Sequence, residues 1–564
     1  MGYILDEFED EVVKEIKKIL ELDEKIDIPL EIPDEERGDL AVPCFIFSKL
    51  LKRSPIEIAE NLAAELELSK GSVEQNGPYI NFKVDNERLV KETIEKCLDY
   101  EDSFGTYPNK NKKVTLEHTS ANPNGPLHVG RARNPIIGDT LARVYEKMGY
   151  EVERQYFVND IGRQMAIFTW GRLNIEEREL PEPERDKIDY SMVRYYQKAN
   201  SLLEDDPDIE DEVRNIIHAM EQGDEEILDV FKENAEKVLD GVTRSLKRLN
   251  IDLDSFKNES DFIVDGSVDN LVTKMDKIDS CRREDGALFF EKDGRKTFLT
   301  RDDGTNLYPA RDLAYHMWKA ERADSLLNIL GEDHKLHGKF LKNALKALDI
   351  EPIPAVVFYS FVSFEGKEMS TRKGIYVTLD DLMDTAQKKA KKEILKRRDD
   401  LSEQEIEYIS EKVGMGAVRF NIIKVQPEKP IDFRWEEALN FQGDTGPFIQ
   451  YTYARSCGIL NKSNEELDLC EADLNKLDEE GEIKLVKTMA KFPRILNEVQ
   501  DQNSPHRLAK YGLELASEFN QFYRDHHVLK SEDKKVERLL LVKAYRYVLK
   551  SLLETLGIDS PESM

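Results

Sequence analysis

Hydrophobic and polar positions between residues 111 and 160 follow two different periods. The short apolar run Val114–Glu117 has the pattern of a strand. From Ile136 to Met148 the apolar residues recur at i, i+3 and i+4, which predicts an amphipathic helix, and Gly149 is a typical residue after a helix end. The segment 151–158, EVERQYFV, then alternates as a second strand. Strand, helix and strand at this spacing predict a βαβ unit, with a parallel sheet and a site at the carboxyl ends of its strands.

A chain of 564 residues exceeds what one hydrophobic core organises, so several domains are expected. The first part of the chain has α+β character and is followed by sheet-like sequence. An acidic helical stretch interrupts this sheet-like sequence, and the last part of the chain has helical periodicity throughout. The predicted fold class is α/β, with a parallel sheet split by a helical insertion, an N-terminal α+β domain and a C-terminal all-α bundle. The predicted boundaries are 1–108 for the N-terminal domain, 109–175 and 290–365 for the sheet domain, 176–289 for the insertion, 366–410 for a basic connecting region and 411–564 for the bundle.

The net charge of −31 repels nucleic acid at long range. A local exception is QKKAKKEILKRRDD, which contains Lys388, Lys392, Lys396 and Arg397. Taken alone, such a stretch is more typical of a solvated amphipathic helix than of a binding surface. An acidic surface is also how proteins of a salt-rich cytoplasm stay soluble, and because salt shortens the reach of repulsion, the overall charge excludes no class of partner.

Five scattered cysteines form no C-x-x-C pair, which argues against a zinc ribbon and a disulfide framework and predicts a reducing compartment. No apolar run approaches the ~18 residues of a membrane span. The acidic start MGYILDEFEDE lacks the basic region of a secretory signal. We therefore expect a cytoplasmic protein that has no membrane partner and no structural metal.

Two segments contain residue types suited to binding phosphate. NPNGPLHVGRARN places His128 and Gly130 where a helix begins, and the unpaired N–H groups and positive dipole of a helix start attract anions. EGKEMSTRKG offers Ser370, Arg372 and Lys373 in a glycine-bounded loop. Each motif alone is weak, since a His-x-Gly triplet arises on the order of once by chance at this length and a basic loop is usually a surface turn. The two motifs converge on one edge of a doubly wound sheet, which predicts a polyphosphate site.

These segments resemble those of the arginyl-tRNA synthetases, which are class I aminoacyl-tRNA synthetases, in an archaeal-like version. EHTSANPNGPLHVGRARN resembles the HIGH region of that family, and MSTRKG resembles its KMSKS loop. In the same chain order, GDLAVPCF and GPYINF resemble its additional domain, which contacts the tRNA elbow, NLYPARDLAYH its arginine pocket, and FQGDTGPFIQYTYARSCGIL its helical anticodon-binding domain. The resemblance covers essentially the whole chain.

The resemblance implies a fold and a reaction. The fold is a class I Rossmann-type catalytic domain with flanking tRNA-binding domains. The reaction is arginine–tRNA ligation, in which ATP with Mg²⁺ and L-arginine give arginyl-adenylate, and the arginine then passes to the 3′ end of tRNA(Arg). The implied enzyme acts in translation as a monomer, and its basic helix after the KMSKS-like loop contacts tRNA.

The resemblance also assigns roles to single residues, with departures from the family pattern at both motifs. In the HIGH motif, Arg131 stands where the family has its second histidine. In the KMSKS motif, Glu368 and Thr371 stand at the lysine positions, so Arg372 or Lys373 must supply the catalytic cation.

The implied site residues fall into four overlapping groups. The catalytic residues are His128, Gly130, Arg131, Ser370, Arg372 and Lys373. The ATP-binding residues are Pro123, Asn124, His128, Gly130, Met369 and Lys373. The arginine-binding residues are Glu117, Asn122, Tyr308, Asp312 and His334. The tRNA-binding residues are Lys388, Lys392, Lys396 and Arg397.

The arginine pocket agrees with the chemistry of a guanidinium, which is planar, always charged and best matched by fixed carboxylates. Glu117 and Asp312 supply such groups, whereas lysine or citrulline would leave them unpaired and be rejected by a factor of about 10⁴ without editing. Two other interpretations stay open. One is a HIGH-type ligase that activates a small acid without RNA, against which the C-terminal bundle argues. The other is a catalytically silent RNA-binding paralogue, which the altered motifs leave open.

Overall fold

The structure, a computed structural model, describes residues 2–33, 37–221, 223–364, 377–463, 465 and 467–564. The N-terminal domain is α+β, as predicted. Its elements are α1 (Ile4–Ile19), β1 (Leu40–Pro43), α2 (Phe45–Leu51), α3 (Pro55–Glu65), β2 (Gly71–Asn76), β3 (Tyr79–Val84) and α4 (Asn86–Tyr100). The three strands form an antiparallel sheet in the order β1–β3–β2. Helix α1 buries Phe8, Val12 and Ile16, which lie on one face because they are spaced by four residues.

The central sheet is parallel and five-stranded. Its strands and the helices around the first two are β4 (Lys113–Glu117), α5 (Arg133–Lys147), β5 (Glu151–Val158), α6 (Arg163–Asn174), β6 (Ser255–Asn258), β10 (Ser325–Gly331) and β11 (Ala355–Tyr359). The order is β11–β10–β4–β5–β6. From β4 the chain first adds β5 and β6 on one side of the sheet, and it then returns to add β10 and β11 on the other side. In such a sheet the crevice for a ligand lies where the direction reverses, here at the carboxyl ends of β4 and β10.

The region predicted as a helical insertion, 176–289, is only partly helical. It is helical in α7 (Ile188–Asp205), α8 (Pro207–Glu221) and α9 (Glu225–Arg248), followed by the shorter α10 (Asp261–Val264) and α11 (Ser267–Met275). Between α9 and α10, however, β6 pairs with β5 as the edge strand of the central sheet. The boundary at residue 289 also falls inside a small antiparallel sheet of β7 (Cys281–Glu284), β8 (Ala287–Lys292) and β9 (Arg295–Phe298). A four-residue strand has too little pattern to be recognised locally, and its pairing partner lies about a hundred residues away in the sequence.

The rest of the chain continues from the sheet into a helical bundle, as predicted. The elements around the return strands are α12 (Tyr308–Ala320), α13 (Lys335–Ala347) and β12 (Val362–Phe364). The later elements are α14 (Leu379–Leu395), α15 (Glu403–Ile423), β13 (Ile431–Phe433), α16 (Trp435–Ala438), α17 (Gly446–Asn461), α18 (Glu480–Ala490), α19 (Phe492–Gln502), α20 (His506–Asp525) and α21 (Lys535–Thr555). Strand β12 pairs with β13 and not with the central sheet. Within the described residues, no helix has the length and apolar character needed to cross a membrane.

A buried arginine joins three parts of the molecule. Arg419 on α15 is fully buried. It donates hydrogen bonds to the main-chain oxygens of Leu249 and Leu556 and to Asp139 Oδ2 at 2.6 Å. These partners belong to the end of the helical insertion, the end of α21 and the helix that follows the HIGH-like segment. The guanidinium therefore connects the bundle to the catalytic domain through hydrogen bonds to two main-chain oxygens and one buried carboxylate.

Candidate active site

The HIGH-like segment follows β4 and forms a tight turn before α5. His128 has extended backbone, and Val129–Arg131 makes one 3-10 turn ahead of the helix. The imidazole of His128 lies directly over Gly130, where an added Cβ would come within 2.9 Å of ring atoms Cε1 and Nδ1. Glycine is therefore required at this position for the ring to keep its place.

The imidazole of His128 is neutral at physiological pH. Burial lowers its pKa to about 4, and the positive charge of Arg131 adds to this effect. Its buried Nδ1 has no hydrogen-bond partner among the described residues. A buried ring nitrogen without a hydrogen-bond partner is costly, so the ring is suited to bind a polar group of a ligand.

The pKa of His128 leads to a prediction about pH. Since its folded pKa lies near 4 and the ordinary value near 6.5, the ring carries no proton to lose between pH 6 and 8. We expect His128→Asn to lower the rate of adenylate formation by the same factor at every pH in this range. Single-turnover rates of both proteins from pH 6 to 8 test this. A ratio that changes with an apparent pKa near 6.5 would contradict it.

The HIGH-like segment is hydrogen-bonded to the chain that follows the second motif. The Val129 N–H donates to Val377 O at 2.9 Å, and the Leu379 N–H donates to Leu127 O at 2.7 Å. Around them, His128 and Thr378 form an antiparallel bridge. The predicted residues Met369, Ser370, Arg372 and Lys373 lie outside the described residues. Residues 377–379, which follow the KMSKS-like segment in the sequence, thus lie against the HIGH-like turn, although the two motifs are about 240 residues apart.

The remaining predicted residues of the HIGH-like loop differ in exposure. Asn122 is exposed and donates to Gln164 Oε1 at 2.8 Å, and Asn124 reaches the same oxygen at 3.4 Å. Pro123 between them is buried, and Arg131 is exposed. Gln164, on the first turn of α6, was not predicted from the sequence, and it holds both asparagines at the mouth of the site.

Three carboxylates surround the predicted arginine pocket. Glu117, at the end of β4, accepts a hydrogen bond from the buried Lys319 at 2.6 Å. Glu259, just after β6, pairs with Arg311. Each of these two carboxylates therefore already has a basic partner within the protein. The arginine-binding role of Glu117 stays a prediction, and in the structure this carboxylate is paired with Lys319.

Asp312 differs from the other two carboxylates because its partners are histidines. His316 Nδ1 lies 3.2 Å from Oδ1, and His337 Nε2 contacts Oδ2. Burial raises the pKa of Asp312, but the two histidines outweigh this and hold the pKa well below its usual range, through their positive charge when they are protonated and through the hydrogen bonds that they donate. Asp312 is therefore ionised, and neither a lysine nor an arginine in the described chain forms an ion pair with it.

Glu259 is close enough to Asp312 for their charges to interact. Burial raises the pKa of Glu259, Arg311 lowers it, and the negative charges of Asp160 and Asp312 raise it again. Its second oxygen, Oε2, is buried and has no hydrogen-bond partner among the described residues. The sequence analysis missed this residue because its strand, β6, was not recognised. A buried acidic residue directly after a strand was the available signal.

Tyr308, Asp312 and His337 lie together, because His337 contacts both of the others. Tyr308 is 56% exposed, starts α12 and lies one helical turn before Asp312, and its ring centre is 5.1 Å from that of His337. His337 was not predicted. His334, which was, lies on the 3-10 turn ahead of α13 with an exposed side chain 3.7 Å from Asp333. His337, three residues further along, is the histidine that reaches the carboxylate.

The predicted tRNA-binding residues lie on α14 and just beyond it, and all four are exposed. Lys396 and Arg397 pair with Glu393. Lys388 and Lys392 form no ion pair with any described carboxylate. Those two ammonium groups are the ones available to a phosphate backbone.

The chain matches known families along most of its length. Residues 93–435 match "tRNA synthetases class I (R), catalytic domain", residues 6–84 match "Arginyl tRNA synthetase N terminal domain", and residues 449–564 match "DALR anticodon binding domain". The fold and its domains are therefore those of a class I tRNA synthetase, which confirms the predicted fold class. ATP is the nucleotide substrate of this class, and the catalytic and anticodon-binding domains together are built to bind tRNA.

Similar proteins specify the family further. An "Arginine--tRNA ligase" from Methanocella arvoryzae is 43% identical over 92% of each chain, and one from Methanothermobacter thermautotrophicus is 38% identical over 100% of each. The solved structure of Thermus thermophilus arginyl-tRNA synthetase superposes with a TM-score of 0.85 at 26% identity, covering 98% of this chain and 100% of that one. The chain belongs to the arginyl-tRNA synthetase family.

Proposed function

We propose that this chain is an arginine–tRNA ligase that forms arginyl-adenylate from L-arginine and ATP and then arginylates tRNA(Arg). The observation that carries the proposal is Asp312, an ionised carboxylate whose ion-pair partners among the described residues are two histidines. A guanidinium is the substrate group that fits such a charge, because it is planar and stays protonated. The names of the relatives support the same amino acid.

In the first step, a carboxylate oxygen of arginine attacks the α-phosphorus of ATP, and the bond to pyrophosphate breaks. In this proposal Asn122 holds the α-amino group, and Asp312 holds the guanidinium together with the oxygen of Glu259 that has no partner among the described residues. His128 and the loop cation of the KMSKS-like segment bind the phosphates, whose charge grows on the leaving group. Mg²⁺ arrives with ATP and neutralises part of the phosphate charge.

In the second step, the 3′-terminal ribose hydroxyl of tRNA attacks the adenylate carbonyl, and AMP leaves with the bonding electron pair of the acyl–oxygen bond. No enzyme nucleophile takes part. Lys388 and Lys392 contact the tRNA backbone, joined by Lys396 and Arg397 when these give up Glu393. We propose further that the enzyme is monomeric and works in the cytoplasm.

The test is pyrophosphate exchange with each of the twenty amino acids, with and without tRNA. We expect exchange with arginine alone and only when tRNA is present, since the family resembles the class I enzymes whose site is completed by tRNA. Exchange with a different acid and no RNA would indicate a small-acid ligase. RNA binding without any exchange would indicate a silent paralogue.

A further inference from the structure

A buried lysine lies beneath the arginine pocket and takes no part in the proposed reaction. Lys319 on α12 is fully buried, and its ammonium lies 2.6 Å from Glu117 Oε2 and 3.0 Å from Asn328 Oδ1. Asn328 on β10 is the direct neighbour of Glu117 across the sheet, because the two are paired in the parallel register. The register therefore presents one carboxylate and one amide oxygen side by side to the same ammonium.

The position of Lys319 determines which way the amide of Asn328 faces. An ammonium has only donors, so the amide atom nearest to it is the oxygen, and the NH₂ group points away. That NH₂ group lies 2.7 Å from His316 Nε2. Since an amide nitrogen can only donate here, Nε2 of His316 must accept and carries no proton.

The proton of His316 is consequently on Nδ1, which faces Asp312. This nitrogen lies 2.8 Å from the main-chain oxygen of Asp312 and 3.2 Å from its carboxylate Oδ1. A series of hydrogen bonds therefore runs from Glu117 through Lys319, Asn328 and His316 to Asp312. We call the middle three residues, Lys319, Asn328 and His316, the tautomer chain.

We propose that the tautomer chain keeps His316 neutral, so that the full negative charge of Asp312 remains available to the guanidinium of the substrate. This rests on the proposed function and makes Lys319, Asn328 and His316 positioning residues for arginine specificity. A doubly protonated His316 would instead form an internal ion pair with Asp312 and weaken its attraction for a cation. The nearby charge of Lys319 also disfavours a second positive charge on the ring.

The charged and titratable groups around His316 come from several elements. On its own helix, Asp312 contacts it, Tyr315 packs against its ring at 5.2 Å between centres, and Lys319 reaches it through Asn328. The groups beyond these are Glu117 of β4 on the far side of Lys319, His337 of α13 on the far side of Asp312, and Glu259 after β6, whose charge interacts with that of Asp312.

Asn328→Asp replaces the amide donor that faces His316 Nε2 with an acceptor. A carboxylate at this position only accepts, so Nε2 of His316 must take up a proton to face it, and the imidazolium then pairs with Asp312. We expect the KM for arginine to rise about 10-fold or more at pH 7, with kcat changed less than about 3-fold, as for a lost binding interaction. The inhibition constant of citrulline, which is uncharged, should change far less.

The double variant Asn328→Asp/His316→Asn separates this mechanism from a simple packing defect. Asparagine at 316 can donate an amide N–H towards Asp312 but cannot become a cation. We therefore expect the double variant to recover most of the arginine affinity that Asn328→Asp loses. An unchanged KM in Asn328→Asp, or an equal defect in the double variant, would overturn the proposal.

A second pair of variants and the wild-type activity complete the test of the tautomer chain. If Asn328→Asp does not fold, as judged by circular dichroism, His316→Lys and His316→Asn replace it: the lysine variant places a fixed cation beside Asp312 and should raise the KM, and the asparagine variant should not. If both behave alike, the chain has no such role. Wild-type protein that charges no arginine would overturn the proposed function itself, whereas active wild type with insensitive variants would overturn only the tautomer chain.

Discussion

Lys373→Ala is expected to slow adenylate formation by about 10²–10³-fold, the usual cost of removing one donor from a site where charge develops. The neutral His128 cannot supply positive charge to the leaving pyrophosphate. Val377 is hydrogen-bonded to the HIGH-like turn, and Lys373 is four residues before it, which limits their Cα separation to about 14 Å. A lysine side chain within that distance of Val377 is able to reach the phosphates of ATP bound at the HIGH-like turn.

The measurement is single-turnover adenylate formation with tRNA present, and Arg372→Ala is the matched control. A cation that acts on the transition state should lower kcat and leave the KM for ATP nearly unchanged. We expect the larger loss for Lys373, since a flexible ammonium beside Gly374 can follow the moving phosphates. If neither variant is slower than wild type, the segment acts only as a turn and Arg131 becomes the first cation to test.

Asp312→Asn is expected to raise the KM for arginine by about 10- to 100-fold, the range for losing hydrogen bonds to a charged group. The other two carboxylates cannot replace the lost charge, because Lys319 and Arg311 already match their charges and only one oxygen of Glu259 is left without a partner among the described residues. The preference for arginine over citrulline, measured as the ratio of the citrulline inhibition constant to the arginine KM, should fall. The amide of asparagine does not favour a cation over a neutral isostere as a carboxylate does.

The control for this variant is Asp333→Asn, the same change at an exposed carboxylate that lies near the site without lining the pocket. Steady-state arginylation at several arginine concentrations, with citrulline as competitor, gives both KM and inhibition constants. An arginine KM that stays at the wild-type value in Asp312→Asn would show that the guanidinium binds elsewhere.

Local sequence was sufficient for the parts of this fold that depend on local pattern. The strand expected at 114–117 is Lys113–Glu117, and the strand expected at 151–158 is Glu151–Val158. The helix between them ends before Gly149, as expected. Periodicity and turn residues decide such elements within a few neighbours in the chain. The HIGH-like motif was recognisable for the same reason, because His128 and Gly130 constrain each other two residues apart.

The partners of the acidic residues were decided only by the tertiary structure. Glu117 and Asp312 look equally suited to a guanidinium in the sequence, yet Lys319, 202 residues from Glu117, neutralises one of them, and histidines surround the other. Glu259 entered the site through a four-residue strand whose membership of the sheet depends on pairing with β5. Whether a carboxylate is free to bind substrate depends on which charges long-range pairing brings within a few ångströms of it, and local sequence carries no record of that distance.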